Sequence, residues 1–294
     1  MKKRRSSSKI ISQFLVYLAL IVFAVAIIVP VAWVFMASIK ENAEFYGQSP
    51  WTLPKGFYIQ NFIDAFEKAN MGTYMLNSVI VTLLALGFLL LIAIPAAYVL
   101  ARYRFKGSKL LNVVFMAGLF VNVNYIVVPI FLMLVDGDTF LRSHNMTPFL
   151  LNNLPVLALI YAATHLPFTV YLLSGFFASI AKDYEEAAFV DGSGYTRTMV
   201  TIMIPMARPA VITIILFNFL AFWNEYIISM TLMTKDQFKT LPVGLMNLVS
   251  AQKAATNYGQ LYAGLVIVML PTLILYMLVQ KRLTQGMSLG GLKG

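Results

Sequence analysis

The chain alternates between long stretches free of charge and short segments that hold nearly all of its ionisable residues. Five stretches contain no Lys, Arg, Asp or Glu: Ile10–Ile39, Ala69–Ala101, Leu110–Val135, Asn145–Ala181 and Ala254–Gln280. A sixth, Pro209–Thr234, is interrupted once, by Glu225. About 20 mostly apolar residues cross the hydrocarbon core of a bilayer as a helix. The pattern therefore predicts six transmembrane helices, over about 12–37, 75–101, 110–135, 149–179, 209–234 and 259–281. The expected fold class is all-α and integral to the membrane, with one transmembrane domain over residues 1–294. Composition agrees, at 60% hydrophobic and 12% charged with a mean hydropathy of +0.77; soluble domains carry roughly a quarter charged residues.

The start, "MKKRRSSSKIISQFLVYLALIVFAVAIIVP", opens like a secretion signal. Its apolar core is too long for one and no clear small-residue cleavage site follows, so a retained first helix is expected. There is no cysteine, hence no disulfide and no thiolate metal site. No internal repeat is visible.

The net charge of +10 changes meaning once the positions are considered. Lys2, Lys3, Arg4, Arg5 and Lys9 precede the first helix, and Arg102, Arg104, Lys106 and Lys109 lie in "ARYRFKGSK" between the second and third. Lys182, Arg197 and Arg208 lie between the fourth and fifth, and Lys281, Arg282 and Lys293 in the tail. These are 15 of the 22 bases, all on one side of a six-helix topology. Basic loops stay inside, so both termini are expected in the cytoplasm. The surplus is a topology signal and calls for no nucleic acid.

The long connection over 40–74 then lies outside. Within it Ile59, Phe62, Ile63 and Phe66 fall on one face of a helix. Two readings stand: a helix lying on the outer membrane surface or packed on the bundle, or a docking platform for an external partner.

Residues 182–208 face the cytoplasm in this topology and carry Asp183, Glu185, Glu186 and Asp191 within nine residues. An anionic leaflet repels such a segment, so it is not built to lie on lipid. Asp183 can cap a short helix with Glu185 and Glu186 in its first turn. Ala187 and Ala188 allow close approach by another surface, and Gly192 and Gly194 end the helix. Such a helix can plug into a groove on another protein, though an ordinary loop helix would read the same way.

"EAAFVDGSGYTRTMVTIMIP" resembles the EAA motif of binding-protein-dependent ABC importer permeases. That pattern is E-A-A, three residues, G, nine residues, I-x-L-P. Glu186, Ala187, Ala188, Gly192, Ile202 and Pro205 match, and Ile204 replaces the Leu. "NSVIVTLLALGFLLLIAIPAAYVLARYRFKG", "FLAFWNEYIISMTLM", "KTLPVGL" and "VQKRLTQGMSLGGLKG" are similar to the carbohydrate, maltose-type branch, of which the MalG-like subunits are members. The resemblance implies a type I importer bundle that pairs with a second permease subunit. It also implies two cytoplasmic ATP-binding subunits, an external solute-binding protein and a sugar or oligosaccharide as substrate. The helix at 183–195 would be the coupling helix, with Glu185, Glu186, Ala187, Ala188, Asp191, Gly192 and Gly194 as its coupling residues and Glu186 bonded to the ATPase groove. The chain has no G-x-x-x-x-G-K-[ST] phosphate loop, so no ATPase site, cofactor or metal of its own is expected.

Polar residues within the spans are the candidates for a substrate pathway or gate: Asn122, Asn124, Tyr125, Asn218, Trp223, Asn224 and Glu225. An acid in a membrane span marks function by default, yet Glu225 sits about 24 Å along its helix from Pro209. A structural or gate-closing role and direct sugar contact both stand for it. Asn122, Asn124 and Tyr125 offer amide and phenol groups to sugar hydroxyls, or bond between helices. His165 is a lone intramembrane histidine, read as packing. Pro30, Pro95, Pro129, Pro155, Pro167 and Pro271 each remove a backbone bond and can kink a span. A carrier driven by an ion gradient is the rival function, with Glu225 as its one available acid and no repeat visible to support it. An intramembrane enzyme lacks a constellation, and an ABC permease for a non-sugar solute remains an alternative.

Overall fold

The computed structural model describes residues 7–46, 49, 51–255 and 257–290; the side chains of 7–11, 252–255 and 281–290 are outside that description. The basic arm Lys2–Arg5 and Lys293 therefore lie outside the described residues, as do the side chains of Lys9, Lys281 and Arg282. The described residues form helices and no strand. They are α1 (Ser7–Ser38), α2 (Gln60–Glu67), α3 (Met71–Arg102), α4 (Ser108–Gly118), α5 (Val123–Ser143), α6 (Leu154–Ser179) and α7 (Asp183–Val190). There follow α8 (Tyr195–Thr198), α9 (Ile204–Met206), α10 (Arg208–Trp223), α11 (Ile227–Leu232), α12 (Leu241–Ala255) and α13 (Tyr258–Gly290). Five helices are long and apolar enough to span a membrane, or up to six where a bent pair, Tyr195–Met206 with Arg208–Trp223, counts as one span.

Two predicted spans are interrupted. The stretch 110–135 is not one helix: α4 ends at Gly118 and α5 begins at Val123, because Asn122 leaves the helical region and its side chain accepts from the Asn124 N–H. The stretch 209–234 breaks after Trp223 and resumes at Ile227. The connection expected over 40–74 ends earlier, since α3 starts at Met71. Pro155 sits in the first turn of α6, where its missing N–H costs nothing, so it does not kink that span. Pro30, Pro95, Pro129, Pro167 and Pro271 do lie inside their helices.

The chain packs as two compact units. The first comprises residues 1–71 and 245–269. Here the apolar side chains of α1 between Phe14 and Val29 are exposed along the helix, as suits a surface covered by lipid or another subunit. The end of α1 leaves carbonyls without helical partners. Asn61 of α2 fills that gap, donating to the Ser38 and Lys40 carbonyls at 2.9 and 2.8 Å. A Cβ at Gly259 would lie 2.5 Å from Nδ2 of Asn61, so only glycine lets the start of α13 pass this clamp. As a result α2 buries Asn61 and Ala65, while Ile59, Ile63 and Phe66 are exposed. Of the apolar face only Phe62 is half-buried, so within the chain this helix does not pack its apolar face on the bundle, and the surface-lying and docking readings remain. On the same helix Gln60, donating at 2.8 Å, and then Lys68 hold the Asp64 carboxyl below its ordinary range.

The second unit comprises residues 72–244 and 270–294. Ala85, Leu89, Ala93 and Ala97 recur every fourth residue on α3 and are fully buried; small residues on one face let helices approach closely. They join a core with Leu157, Tyr161, Leu173 and Phe177 of α6 and with Phe222, Ile228 and Leu232 of α10 and α11. Side chains hold the loops to the bundle. Asp138 of α5 accepts from the Leu150 and Leu151 amides at 2.9 and 3.1 Å. Asn77 donates to the Gln237 and Lys239 carbonyls, both at 2.9 Å. Each bond satisfies loop backbone that would otherwise be desolvated without a partner.

Candidate functional site

The acidic segment folds as the eight-residue helix α7. Asp183 is not its cap; Lys182 takes the cap position and Asp183 the first helical one, where the dipole still favours an acid. The C-terminal end is a Schellman turn. Gly192 has φ of +80°, its N–H reaches the Phe189 carbonyl, and the Ser193 N–H reaches Ala188. Gly194 has ordinary φ and serves as the cap of α8.

The two glutamates of α7 face opposite ways. Glu185 is 7% exposed, whereas Glu186 is exposed. Glu185 accepts from Tyr98 Oη at 2.7 Å and from Arg102 Nε at 2.6 Å, and Arg102 Nη2 closes a bidentate pair. The same guanidinium donates to the Ile180 carbonyl at 2.9 Å and the Phe177 carbonyl at 3.3 Å. One arginine thus caps the end of α6 and holds α7 against the end of α3. Arg102 read in the sequence only as a topology charge; its place in the last turn of a span, with an acid across the connection, was the available signal. An aromatic chain extends the contact, with Tyr103 edge-on to Tyr195 and Phe189 edge-on to Tyr195.

Ala187 is exposed but Ala188 is buried, so Ala188 faces the bundle and offers no surface to another protein. The outward face of α7 presents Glu186, Ala187, Val190 and Asp191. Beyond Gly194 the helix widens to a π-turn at Met199–Met203, where the Ile204 N–H bonds to Met199. Pro205 and Pro209 then fall in the first turns of the short α9 and of α10, where a missing N–H marks a helix start, and the axis bends by 76° into α10. Arg102 thus ties α7 to the ends of α3 and α6, and a bent, proline-marked joint leads on into α10.

The candidate pathway residues do not form one site. Asn122 caps α5, and Asn124 and Tyr125 are exposed, Tyr125 by 81%. Trp223 is buried and stacks on Phe219. Asn224 donates back to the Leu220 carbonyl at 2.8 Å and ends α10. Glu225 accepts from the Ile228 N–H at 2.7 Å, the Ser229 N–H at 3.0 Å and Tyr161 Oη at 2.7 Å. It therefore caps α11, and the break after Trp223 is where this carboxylate takes the place of helical carbonyls. Asn218 alone of the seven lines a cavity of about 350 Å³. It is 1% exposed and its Nδ2 donates to Thr169 and to Ile214, while no partner meets hydrogen-bond geometry at Oδ1. His165 lines the same cavity within interaction range of Asn218 and packs edge-on against Phe222. Among the described residues no cluster of acids and histidines has a metal-holding arrangement.

Residues 91–289 match the family profile described as the binding-protein-dependent transport system inner membrane component. The chain belongs to this family. The matched range contains α7, Arg102 of its anchor and the joint into α10. The chain is 38% identical over 271 residues to the diacetylchitobiose uptake system permease protein NgcG of Streptomyces coelicolor, covering 92% of this chain and 86% of that protein. It is 32% identical to the probable ABC transporter permease protein YurM of Bacillus subtilis, over 97% and 90% of the two chains. The trehalose/maltose transport system permease protein MalG of Thermococcus litoralis is 27% identical, over 97% and 99%. A crystal structure of a bacterial ABC transporter that imports the acidic polysaccharide alginate superposes with a TM-score of 0.80 at 24% identity, over 95% of this chain and 99% of that one. That likeness supports the fold.

Proposed function

We propose that this chain is the permease subunit of an ATP-driven importer that moves a sugar or oligosaccharide across the cytoplasmic membrane. The observation that carries the reading is the division of labour on α7, with Glu185 committed inward to Arg102 and Tyr98 and Glu186 left facing out beside Ala187. A helix bolted to its own bundle by one carboxylate and offering the other is suited to pass force from a neighbouring protein. The neighbour is an ATP-binding subunit, present twice, and a second permease subunit completes the pore. An external solute-binding protein delivers substrate. Support for the sugar class comes from relatives named for uptake of diacetylchitobiose, of trehalose and maltose, and of melibiose, raffinose and stachyose. Support for the external partner comes from a similarly folded alginate transporter crystallised with its oligosaccharide-bound periplasmic protein.

In this mechanism ATP binding closes the ATPase pair and shifts α7. The Arg102 clamp carries the shift to α3 and α6, and the 76° joint carries it to α10. Asn218 and His165 then sit where helices α6 and α10 move against each other. An ion-driven carrier is disfavoured, because Glu225 accepts from two backbone N–H groups and a phenol, an arrangement that ends one helix and starts the next.

The test is a tagged purification in mild detergent with mass spectrometry of the partners. Recovery of a P-loop ATPase and a second permease is expected. Glu186→Lys should cut ATPase recovery at least tenfold, since like charges brought together across an interface cost several kcal/mol. Unchanged association together with unchanged substrate-stimulated hydrolysis in that variant would remove Glu186 from the interface.

A further inference from the structure

At the junction of α3, α4 and α6 a basic cavity meets an apolar cleft. The cavity, about 650 Å³, is lined by Arg102, Arg104, Lys109 and Lys182 together with Tyr103 and Ser108, and no acid lines it. Arg102 is matched by Glu185. The side chains of Arg104, Lys109 and Lys182 make no ion pair or hydrogen bond among the described residues. Three like charges facing one cavity repel each other, and an anion placed among them relieves that repulsion.

The cleft, about 590 Å³, runs between α4 and α6 and is walled by Phe115, Met116, Val170, Leu172, Gly175 and Ala178. It shares Leu100, Ala101 and Asn112 with the cavity, so the two are continuous. Their order along the membrane normal is fixed by the helices. Arg102 is the last residue of α3 and Ser108 the first of α4. Phe115 and Met116 lie about 10 Å deeper, at about 1.5 Å per residue. A small soluble anion explains the cavity alone; a charged head with an apolar tail explains both.

We infer that this corner binds an anionic phospholipid of the cytoplasmic leaflet, with its phosphate among Arg104, Lys109 and Lys182 and an acyl chain in the cleft between α4 and α6. Basic pockets beside transmembrane helices are suited to such headgroups. The inference rests on the reading above that this end of the bundle is cytoplasmic. Its functional consequence follows from Arg102, which lines the cavity while holding Glu185. The Arg102 donors are already taken by Glu185 and the Phe177 and Ile180 carbonyls, so a lipid phosphate sits beside the clamp, and leaflet composition acts on the coupling joint through the field at that guanidinium.

The experiment titrates the purified full chain with dioleoyl phosphatidylglycerol or dioleoyl phosphatidylcholine and reads bound lipid by native mass spectrometry. Saturable binding of phosphatidylglycerol only is expected. Arg104→Gln, Lys109→Gln and Lys182→Gln combined should weaken it on the order of 100-fold, at about 1 kcal/mol per basic residue. The charge-keeping set Arg104→Lys, Lys109→Arg and Lys182→Arg should retain it, which separates lost charge from misfolding. Gly175→Leu fills open space in the cleft and should also weaken lipid binding. Inorganic phosphate that competes fully, with Gly175→Leu without effect, would make this a soluble-anion site and overturn the lipid. Equal binding of both lipids, or crosslinks showing a partner helix seated in the cleft, would overturn it too. Labelling of Lys106→Cys in intact cells separates the two failures. Labelling from outside overturns the cytoplasmic reading and the lipid site together, whereas protection from outside with no lipid preference overturns the lipid site alone.

Discussion

Glu185 and Glu186 differ by one position and by everything their surroundings impose. The Glu185 carboxylate is desolvated and matched by a guanidinium whose side chain is 3% exposed. Removing one partner of a buried pair costs about 3–5 kcal/mol, because the survivor keeps its desolvation and loses its attraction. Glu185→Ala should therefore lower the melting temperature of the chain in detergent and expose the 183–195 segment to protease. Glu186→Ala should leave melting within about 0.5 kcal/mol of the parent. Equal melting of the two variants would show that the clamp does not hold α7. The adjacency of two identical side chains hid this difference in the sequence. The motif drew the eye to Glu186, and helical phase alone, without knowledge of which face meets α3, does not say which glutamate turns inward.

At the level of single elements, the informative features are breaks rather than helices. The carboxylate of Glu225 replaces helical carbonyls for the Ile228 and Ser229 amides, so the chain stops α10 and starts α11 inside an apolar stretch. Glu225→Ala leaves two N–H groups and the Tyr161 hydroxyl without this acceptor, at a cost of about 2 kcal/mol or more. Tyr161→Phe removes a single bond and should cost about 1 kcal/mol. Thermal unfolding of the two variants in detergent checks the order, and a larger loss from Tyr161→Phe would contradict the capping role. The apolar runs themselves were legible because hydrocarbon demands about 20 uncharged residues per span. Their interruptions at 119–122 and 224–226 were not, because hydropathy averages over a window and a cap acts through one side chain. Similarly α2 showed an apolar face in sequence, but Asn61 had two carbonyls at the end of α1 to satisfy, and that need turned the apolar face outward.

For the whole molecule, the charge pattern makes a prediction that the cysteine-free chain is suited to test. Single substitutions Ser193→Cys and Glu67→Cys introduce the sole thiol in each variant. An impermeant maleimide added to intact cells should label Glu67→Cys and leave Ser193→Cys unlabelled until the membrane is opened. The reverse pattern would invert the topology and move α7 away from any cytoplasmic ATPase. The exposed apolar lengths of α1 and α4 suit contact with lipid or with the second permease subunit proposed above.

By itself the sequence determined the membrane class and the family, and it raised the expectation of six spans, of their sidedness and of a coupling segment. Each follows from local composition: uncharged length, basic loops and a spaced motif. Tertiary structure alone decided that Arg102 joins three helices, that Ala188 faces in, that Glu225 is a cap and that Asn218 meets His165 at a cavity. Those outcomes depend on which backbone and side-chain groups lose water together, and residues 83 positions apart, as Arg102 and Glu185 are, carry no mark of that in their order along the chain.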